Sequence, residues 1–228
     1  MPVRKIPKNY RFLTGVFSGT KHIGKASFES PLERDLQILL EFDPDILEYE
    51  AQPVRIPRTD GKGKARFFTP DVRIVYRPDA VSPWRGKTLI VEVKCREDLK
   101  EGKNFILEKM RAGIAWCRQN GAIFKVFTES RIRSPLLDNA RFLLPFRRIT
   151  LDEGEAGHLI ETLHRNGPLT VSRLLDSLSN DPDKRSRLLW VLWYLVSVGR
   201  IGTDLSRPLT QNTIIEAVFP QEIPYGSR

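Results

Sequence analysis

The sequence predicts an α/β protein in which a mixed sheet flanked by helices is followed by a smaller C-terminal domain. Three observations lead to this fold class. An apolar pattern with helical spacing precedes several short apolar runs that are typical of strands, and after about residue 150 the sequence changes to helical segments and two short strands. A length of 228 residues suffices for one main domain and one small one. We expect a basic N-terminal arm at residues 1–29, the main domain at 30–150 and the C-terminal domain at 151–228.

The first helix is predicted at residues 31–42. Ser30 is a candidate N-cap, Pro31 suits the first helical position, and leucines recur at positions 32, 36, 39 and 40. The preceding residues are polar and basic with aromatic residues between the charges, as in an arm that lies on the protein core or on DNA.

Alternating and apolar runs then predict the strands of the sheet. The segment Ile46–Ile56 alternates, and with Phe67 and Phe68 beyond a basic turn it predicts the two strands of a hairpin. The run Thr88–Lys94 is almost wholly apolar until its end, which is typical of a central strand. The other elements expected in the main domain are a strand at Asp71–Tyr76, one or two helices within residues 97–119 and a strand at Ala122–Thr128.

The C-terminal domain has the outline of a winged-helix-like module, with three helices and a small hairpin. Helices are expected at Glu155–Arg165, Thr170–Ser179 and Lys184–Val198, and two short strands within Arg200–Ile215. Because the last helix is strongly apolar and the domain is mildly acidic, it favours a protein partner over direct reading of DNA.

Basic charge is concentrated in the N-terminal two thirds of the chain. Of a formal net charge of +9, residues 151–228 contribute −2 (8 Lys and Arg against 10 Asp and Glu), which leaves +11 on residues 1–150. Such a domain attracts polyanions, most often nucleic acid, with salt-dependent affinity. The candidate phosphate contacts, any of which can also be a solvated surface charge, are Lys21, Lys25, Lys62, Lys64, Arg66, Lys100 and Lys103.

Other classes of site are disfavoured. Cys95 and Cys117 lack the paired spacing of a zinc site or a disulfide framework, and the three histidines are scattered. No run approaches the roughly 20 apolar residues that a membrane span needs, and no apolar run follows the basic N-terminus as it would in a signal peptide. We therefore expect a cytoplasmic protein.

Acidic and basic residues stand at the ends of two predicted strands. Pro70-Asp71 begins one strand and Glu92-Val93-Lys94 ends the next. Residues two apart in a strand point to the same side, so Glu92 and Lys94 share a face, and if the strands pair, Asp71 and Glu92 can meet one divalent cation. Mg²⁺, with Mn²⁺ as a substitute, prefers such oxygen ligands and neutralises charge on a scissile phosphate, while a lysine can orient or deprotonate the attacking water.

Glu33, on the preceding helix, could add a third carboxylate and help to hold a second metal. Each feature has a structural alternative, because Asp next to Pro is a common turn element and Glu-Val-Lys can be a solvated pair. Their convergence in a basic domain favours a metal-dependent nuclease with the catalytic residues Glu33, Asp71, Glu92 and Lys94, of which the three carboxylates are the predicted metal ligands. Gln52 could lean toward the same site, although a Gln before Pro is more often a strand-end residue.

Four segments of the sequence resemble the TnsA endonuclease family, nuclease subunits of heteromeric bacterial transposases. They are the run SPLERDLQILLEFDPD from Ser30, the segment YEAQP from Tyr49, Thr69-Pro-Asp and Val91-Glu-Val-Lys. The resemblance covers roughly residues 25–130, and the C-terminal part agrees only in outline.

The resemblance implies a restriction-endonuclease-like catalytic domain, a winged-helix C-terminal domain and Mg²⁺-dependent cleavage of the 5′ ends of a transposon in the bacterial cytoplasm. It implies three partners: double-stranded transposon-end DNA, a TnsB-like transposase that cuts and joins the 3′ ends, and a TnsC-like ATPase regulator, which we expect to bind the C-terminal domain. By position, Glu33, Asp71 and Lys94 match the family's catalytic residues, whereas Glu92 stands where some members have Gln.

Two other functions stay open at this point. A stand-alone restriction or repair endonuclease of the same fold would cut DNA without partners, and the acidity of the C-terminal part argues against it. A non-catalytic DNA-binding assembly module would have lost part of the catalytic set, whereas Glu33, Asp71, Glu92 and Lys94 are all present.

Overall fold

The structure, a computed structural model, describes residues 15–101 and 103–218, without the side chains of residues 101 and 103–105. The described residues form two compact units, one ending at Arg133 and the other beginning at Ser134. The first unit contains, in chain order, β1 (Gly15–Phe17), β2 (Ala26–Phe28), α1 (Pro31–Phe42), β3 (Ile46–Ala51), β4 (Ile56–Thr59), β5 (Ala65–Phe68), β6 (Val72–Tyr76), β7 (Thr88–Val93), α2 (Arg96–Glu101), α3 (Lys103–Gln119), β8 (Ile123–Phe127) and α4 (Glu129–Ile132).

A mixed four-stranded sheet forms the centre of this unit. Its order is β3-β6-β7-β8, antiparallel except for the parallel pair β7–β8. β7 is central, and its residues 89–93 are all buried, as expected from its apolar run. On one face of the sheet, leucines of α1 pack against alternate residues of β6 and β7, with Leu36, Val72, Ile74 and Val91 in one apolar cluster. The predicted mixed sheet flanked by helices is confirmed, and it is consistent with a restriction-endonuclease-like fold.

α1 has the predicted bounds because its first turn is capped as expected. Ser30 has extended backbone angles, its hydroxyl oxygen accepts a hydrogen bond from the Glu33 backbone N–H, and Pro31 occupies the first turn. The helix ends where the backbone N–H of Asp43 donates to the Leu39 carbonyl and Asp43 itself adopts an extended conformation.

The predicted hairpin between Ile46–Ile56 and Phe67-Phe68 is wrong in one respect. The segment contains β3, which pairs with β6, and β4 begins only at its last residue and pairs with β5 in a separate hairpin. The chain leaves the main sheet at Gln52, which has a φ of +50°, followed by Pro53, which has no backbone N–H to donate to a ladder. The break therefore gives β4 and β5 their own two-stranded ribbon.

Residues 15–29, which the sequence analysis assigned to an N-terminal arm, are part of the folded unit. Residues 15–29 contain the antiparallel pair β1–β2, in which Ala26 and Phe28 are buried. This part is an integral piece of the first unit because its apolar side chains join the core. Residues 1–14 lie outside the described residues.

The second unit contains α5 (Pro135–Leu143), a 3₁₀ helix (Leu144–Arg148), α6 (Glu153–Asn166), β9 (Leu169–Thr170), α7 (Val171–Leu178), α8 (Pro182–Ser197), β10 (Ile201–Thr203) and β11 (Ile214–Ala217). β11 pairs with both β10 and β9, which makes a three-stranded antiparallel sheet. The three helices and the hairpin predicted after residue 151 are α6, α7, α8 and β10–β11.

This unit begins at Ser134, whereas the sequence analysis placed the division between residues 150 and 151. The physical reason is aromatic packing: the rings of Phe142 and Trp193 lie 5.3 Å apart, and those of Phe146 and Trp190 lie 5.5 Å apart. These edge-to-face contacts hold α5 and the 3₁₀ helix against α8. In the described parts of both units, no helix combines the length and the apolar composition needed to cross a membrane.

Candidate active site

The sheet register brings Asp71 and Glu92 to neighbouring strand ends. Val72 pairs with Val91 in the antiparallel ladder, so Asp71, one residue earlier, stands beside Glu92, one residue later. The backbone N–H of Asp71 donates to the Val91 carbonyl at 3.1 Å. Lys94 follows on the same side as Glu92, with its backbone N–H bonded to the Phe127 carbonyl of β8 at 3.0 Å. The structure thus brings together three of the four predicted catalytic residues on adjacent strands.

Asp71 is held in place by a short hydrogen bond. The backbone N–H of Val93 donates to Oδ2 of Asp71 at 2.6 Å, which fixes the carboxylate across the two strands. Burial raises the pKa of Asp71 well above its ordinary value, and the negative charges of Glu92 and Glu33 raise it further. Lys94 and the Val93 N–H act in the opposite direction without offsetting these effects. The site therefore concentrates negative charge that a cation would relieve.

The carboxylate of Glu92 is nearly inaccessible to solvent, and its two oxygens differ in their surroundings. Oε1 lies 3.2 Å from Nζ of Lys94 and 3.7 Å from Nζ of Lys109. Oε2 is buried and has no hydrogen-bond partner within the described part of the chain. Burial lowers the pKa of Lys94, but the carboxylates of Glu92, Asp71 and Glu33 outweigh it, so the net pKa is raised and the ammonium stays charged.

Glu33 lies at the start of α1 and faces the same cluster. Its Oε1 accepts a hydrogen bond from the Ser30 hydroxyl at 2.9 Å and its Oε2 one from the Glu29 backbone N–H at 2.8 Å. Burial raises the pKa of Glu33 above its ordinary value, opposed by these hydrogen bonds and by Lys94. The negative charge of Glu33 raises the pKa of both Asp71 and Lys94, and its own hydrogen bonds tie it to the helix cap.

These residues fit a divalent cation through two carboxylates. Among the described residues, no group of three or more His, Cys, Asp and Glu side chains is arranged to hold a metal ion. Mg²⁺ does not require such a cage, since it binds proteins through one or two carboxylates and completes its shell with water and phosphate oxygens. The buried Glu92 Oε2 beside Asp71 offers this kind of donor, because an unpartnered buried carboxylate oxygen is costly unless something positive meets it.

Sequence reasoning missed two residues of the site, Lys109 and Glu29. Lys109 of α3 lies beside Glu92 and also 5.3 Å from the Phe68 ring, and its position in a run of helical charges gave no sign of this contact. Gln52 donates from Nε2 to Glu29 Oε1 at 3.0 Å, and its backbone N–H donates to the Asp71 carbonyl at 2.9 Å. The sequence pattern favours Gln52 as a neighbour of the site, but it gives no sign of Glu29.

The β4–β5 hairpin is basic, and Asp60 holds its turn. Oδ1 of Asp60 accepts hydrogen bonds from the backbone N–H groups of Lys62 and Lys64, and Oδ2 accepts one from Arg66. The side chains of Lys62, Lys64 and Arg66 are exposed. On the outer face, the Arg55 guanidinium stacks 3.9 Å from the centroid of Phe67, a ring that is 55% exposed. An exposed aromatic ring under a guanidinium, in a basic ribbon, is a surface suited to nucleic acid.

The other predicted phosphate contacts differ in accessibility. Lys25 and Lys100 are exposed, whereas the ammonium of Lys21 donates to the Asp43 carbonyl and is partly buried. This internal bond gives Lys21 a structural role that leaves its ammonium less available to DNA. The side chain of Lys103 lies outside the described part of the chain.

The mixed sheet is consistent with a restriction-endonuclease-like fold, and the two carboxylates and the lysine at its adjacent strand ends form a candidate catalytic site. Residues 43–129 match the family model described as the TnsA-like endonuclease N terminal. This stretch is therefore a TnsA-like endonuclease N-terminal domain, as the motifs predicted, and it indicates a nuclease of the transposase family.

The matched segment contains Asp71, Glu92 and Lys94 as well as Gln52 and Lys109. Glu33 precedes it, so the role of Glu33 depends on the sequence resemblance and on its place in the structure. A search of curated proteins found no match to this chain.

Proposed function

We propose that this protein is a Mg²⁺-dependent DNA endonuclease that cleaves the 5′ ends of a transposon as one subunit of a heteromeric transposase. The observation that carries the proposal is the juxtaposition of Asp71 and Glu92, with Lys94 at 3.2 Å from Glu92, inside a TnsA-like domain. Asp71 and Glu92 are the proposed metal ligands, and Glu33 is the third carboxylate, positioned to contribute to the same site or to a second metal.

In this proposal a bound Mg²⁺ supplies the positive charge that stabilises the developing negative charge on the scissile phosphate. Asp71, fixed by the Val93 N–H, presents its carboxylate at the edge of the site. Glu92 presents the buried Oε2 while the two lysines engage Oε1. Lys94, charged because of its carboxylate neighbours, orients the attacking water and stabilises the phosphorane-like transition state.

The exposed charges of the β4–β5 hairpin supply the proposed path for DNA. Lys62, Lys64 and Arg66 are candidates for phosphate contacts, and the Arg55–Phe67 stack for a contact with a sugar or base. Because Asp60 fixes the turn, little conformational entropy would be lost when the hairpin docks on a duplex.

Partners are proposed from the family. A TnsB-like transposase would cut and join the 3′ ends, and a TnsC-like ATPase would regulate the complex through the second unit. The order α6, β9, α7, α8, β10, β11 supports the winged-helix interpretation of that unit, and Trp190, 57% exposed, together with Phe142, 44% exposed, supports a protein-binding surface there.

The test is strand-specific cleavage of end-labelled transposon-end DNA with Mg²⁺, with and without a TnsB-like transposase. The wild type is compared with Asp71→Ala and Lys94→Ala, and with Lys87→Ala as a control, since Lys87 is exposed at the opposite end of β7 from Glu92. We expect 5′-end cleavage that requires the transposase, is lost in both site variants and persists in the control.

Other results of this cleavage experiment would support a different function or a different catalytic site. Cleavage without the transposase would favour a stand-alone restriction or repair nuclease. Binding of DNA and the transposase with no cleavage under any condition would favour a non-catalytic assembly module. Cleavage that survives in Asp71→Ala and Lys94→Ala would exclude this site as the catalytic centre.

A further inference from the structure

Gln52 adopts a backbone conformation that its side chain does not favour. In the part of the chain that the structure describes, it is the one non-glycine residue with a positive φ, at +50°. Left-handed backbone is strained for residues other than Gly and, to a lesser degree, Asn and Asp. Such strain persists where the surroundings determine the conformation, and it occurs most often at functional sites.

The side chain of Gln52 also contains a buried polar atom that destabilises the folded protein. It is 7% exposed, and its Oε1 is buried with no hydrogen-bond partner within the described residues. A buried amide oxygen without a partner destabilises the folded chain. A residue selected for stability alone would avoid the strained backbone or the unpaired buried oxygen. The presence of both at Gln52 therefore indicates a functional requirement at this position.

The contacts of Gln52 connect two parts of the candidate site. Its backbone N–H donates to the Asp71 carbonyl at 2.9 Å, and its Nε2 donates to Glu29 Oε1 at 3.0 Å. The backbone N–H of Glu29 in turn donates to Glu33 Oε2 at 2.8 Å. One continuous path of hydrogen bonds thus runs from the strand that carries Asp71 to the carboxylate of Glu33, through a segment that precedes α1.

We propose that Gln52 is a positioning residue that sets Glu33 relative to Asp71 by holding Glu29. The inference deepens the proposed nuclease function and rests on it. Glu33 and Asp71 belong to a helix and a strand that are far apart in sequence, and a metal site tolerates only small displacements of its ligands. The left-handed turn at Gln52 aims one side chain at Glu29 while its backbone stays bonded to Asp71.

The variant Gln52→Gly distinguishes an effect on the position of Glu33 from an effect on the stability of the fold. Glycine adopts a φ of +50° without strain, so this variant keeps the turn and the backbone bond to Asp71 while losing the bond to Glu29. We expect the variant to fold, with cleavage of transposon-end DNA reduced by about 10- to 100-fold and with a higher half-saturating Mg²⁺ concentration, the range seen when a residue that orients a metal ligand is lost. Glu29→Ala should give a similar loss, and the double variant should be no worse than either single one, because both act through one path.

Gln37→Ala is the matched control. Gln37 is also a buried glutamine, 3% exposed, whose Nε2 donates to a backbone carbonyl, that of Ser27, at 3.0 Å and whose Oε1 lacks a partner among the described residues. Its loss should change stability and leave the Mg²⁺ dependence of cleavage unchanged.

A second readout keeps the positioning claim separate from the nuclease claim. We expect Mn²⁺ alone to raise the melting temperature of the wild type and of Gln37→Ala, and to do so in Gln52→Gly only at higher concentration. If the wild type cleaves and Gln52→Gly shows the same rate and the same metal dependence, the positioning proposal is wrong and the nuclease proposal stands. If neither the wild type nor any variant cleaves DNA, the nuclease proposal fails. The positioning proposal fails as well if Mn²⁺ does not raise the melting temperature of the wild type, or if it stabilises Gln52→Gly at the same concentration as the wild type.

Discussion

Nζ of Lys94 lies 3.2 Å from Oε1 of Glu92, so the lysine and the carboxylate of the Glu-x-Lys motif form an ion pair on one face of β7. Nζ of Lys109 approaches the same oxygen at 3.7 Å from α3. Two ammonium groups therefore neutralise one side of Glu92 and leave Oε2 as the oxygen available to a cation. This asymmetry predicts different consequences for the loss of each lysine.

Lys94→Ala should reduce the cleavage rate by about 10²- to 10³-fold, the contribution usual for one preorganised group that stabilises developing charge in the transition state. Lys109→Ala should have a smaller effect on the rate, because Lys94 still engages Glu92. Rates would be measured at saturating Mg²⁺, with Lys125→Ala as a control. Lys125 is a lysine of β8 whose ammonium lies 4.8 Å from the centroid of the Trp84 ring. Equal effects of Lys94→Ala and Lys125→Ala would contradict the role of Lys94.

Asp71→Asn should make the metal-free protein more stable at neutral pH. The folded-state pKa of Asp71 is raised, first by burial and then by Glu92 and Glu33, so its ionised form opposes folding above that pKa. Asn mimics the protonated form. A gain of about 1 kcal/mol corresponds to a rise in melting temperature of roughly 2–4 °C for a chain of this size.

The stability gained in Asp71→Asn should depend on pH. As pH falls through the folded-state pKa, Asp71 becomes protonated and the advantage of Asn should shrink. Melting temperatures in EDTA between pH 4 and 8 would show it, with Asp79→Asn as a control because Asp79 forms a surface ion pair with Arg77. Added Mn²⁺ should stabilise the wild type and not Asp71→Asn, and a variant less stable than the wild type in EDTA would argue against a strained carboxylate site.

Glu41 should govern part of the acid stability. Its buried carboxylate accepts hydrogen bonds at 2.7 Å from both the backbone N–H and the hydroxyl of Thr20, and one at 3.2 Å from the Lys21 backbone N–H. Burial by itself raises the pKa of Glu41, but these bonds outweigh it and the net pKa is lowered. A lowered folded-state pKa stabilises the protein above the unfolded-state pKa, and this contribution is lost as pH falls through the folded-state value.

Glu41→Gln should therefore cost about 1–3 kcal/mol at pH 7, because buried donors lose their charged acceptor. The difference from wild type should narrow as the pH drops below the ordinary pKa of a glutamate. Chemical unfolding at several pH values measures it, and Glu48→Gln, which removes a surface partner of Arg73, should cost about 0–1 kcal/mol. A pH-independent loss would show that the charge of Glu41 does not contribute.

Reversal of the hairpin charges should weaken DNA binding. Lys62→Glu with Lys64→Glu removes two exposed positive charges from the tip of the hairpin, so affinity for duplex DNA should fall and the slope of log K against log salt should become shallower by about 2. Arg85→Glu with Lys87→Glu is the matched control. Both side chains are exposed in the loop before β7, at the opposite end of that strand from Glu92. Fluorescence anisotropy with duplex DNA at several salt concentrations measures both, and equal losses in the two double variants would indicate a general charge effect.

Much of the first unit was predictable because local signals agree with the fold. The bounds of α1 follow from Ser30, Pro31 and the leucine spacing, and the neighbouring positions of Asp71 and Glu92 follow from the pairing of two strands whose ends they mark. These features depend on residues close in sequence or on one ladder.

Other features depend on contacts that a residue pattern does not encode. The left-handed turn at Gln52 contains no glycine, so the sequence pattern predicts one strand where the structure has β3 and β4. Lys109 reaches Glu92 only because α3 packs beside the sheet, and the second unit starts at Ser134 because Phe142 and Phe146 pack on α8. In each case tertiary packing overrides the local pattern.

The central claim is that Asp71 and Glu92 form the metal site at which DNA is cut. The most direct measurement is the Mg²⁺ and Mn²⁺ dependence of DNA cleavage by the complete transposase containing wild type, Asp71→Asn, Glu92→Gln or the control Asp79→Asn. We predict that cleavage at the 5′ end requires the metal, is lost in both site variants even at high Mn²⁺, and is unchanged in the control, while DNA binding persists in all four. Metal-dependent cleavage at the same position by Asp71→Asn or Glu92→Gln at the wild-type rate would contradict the claim.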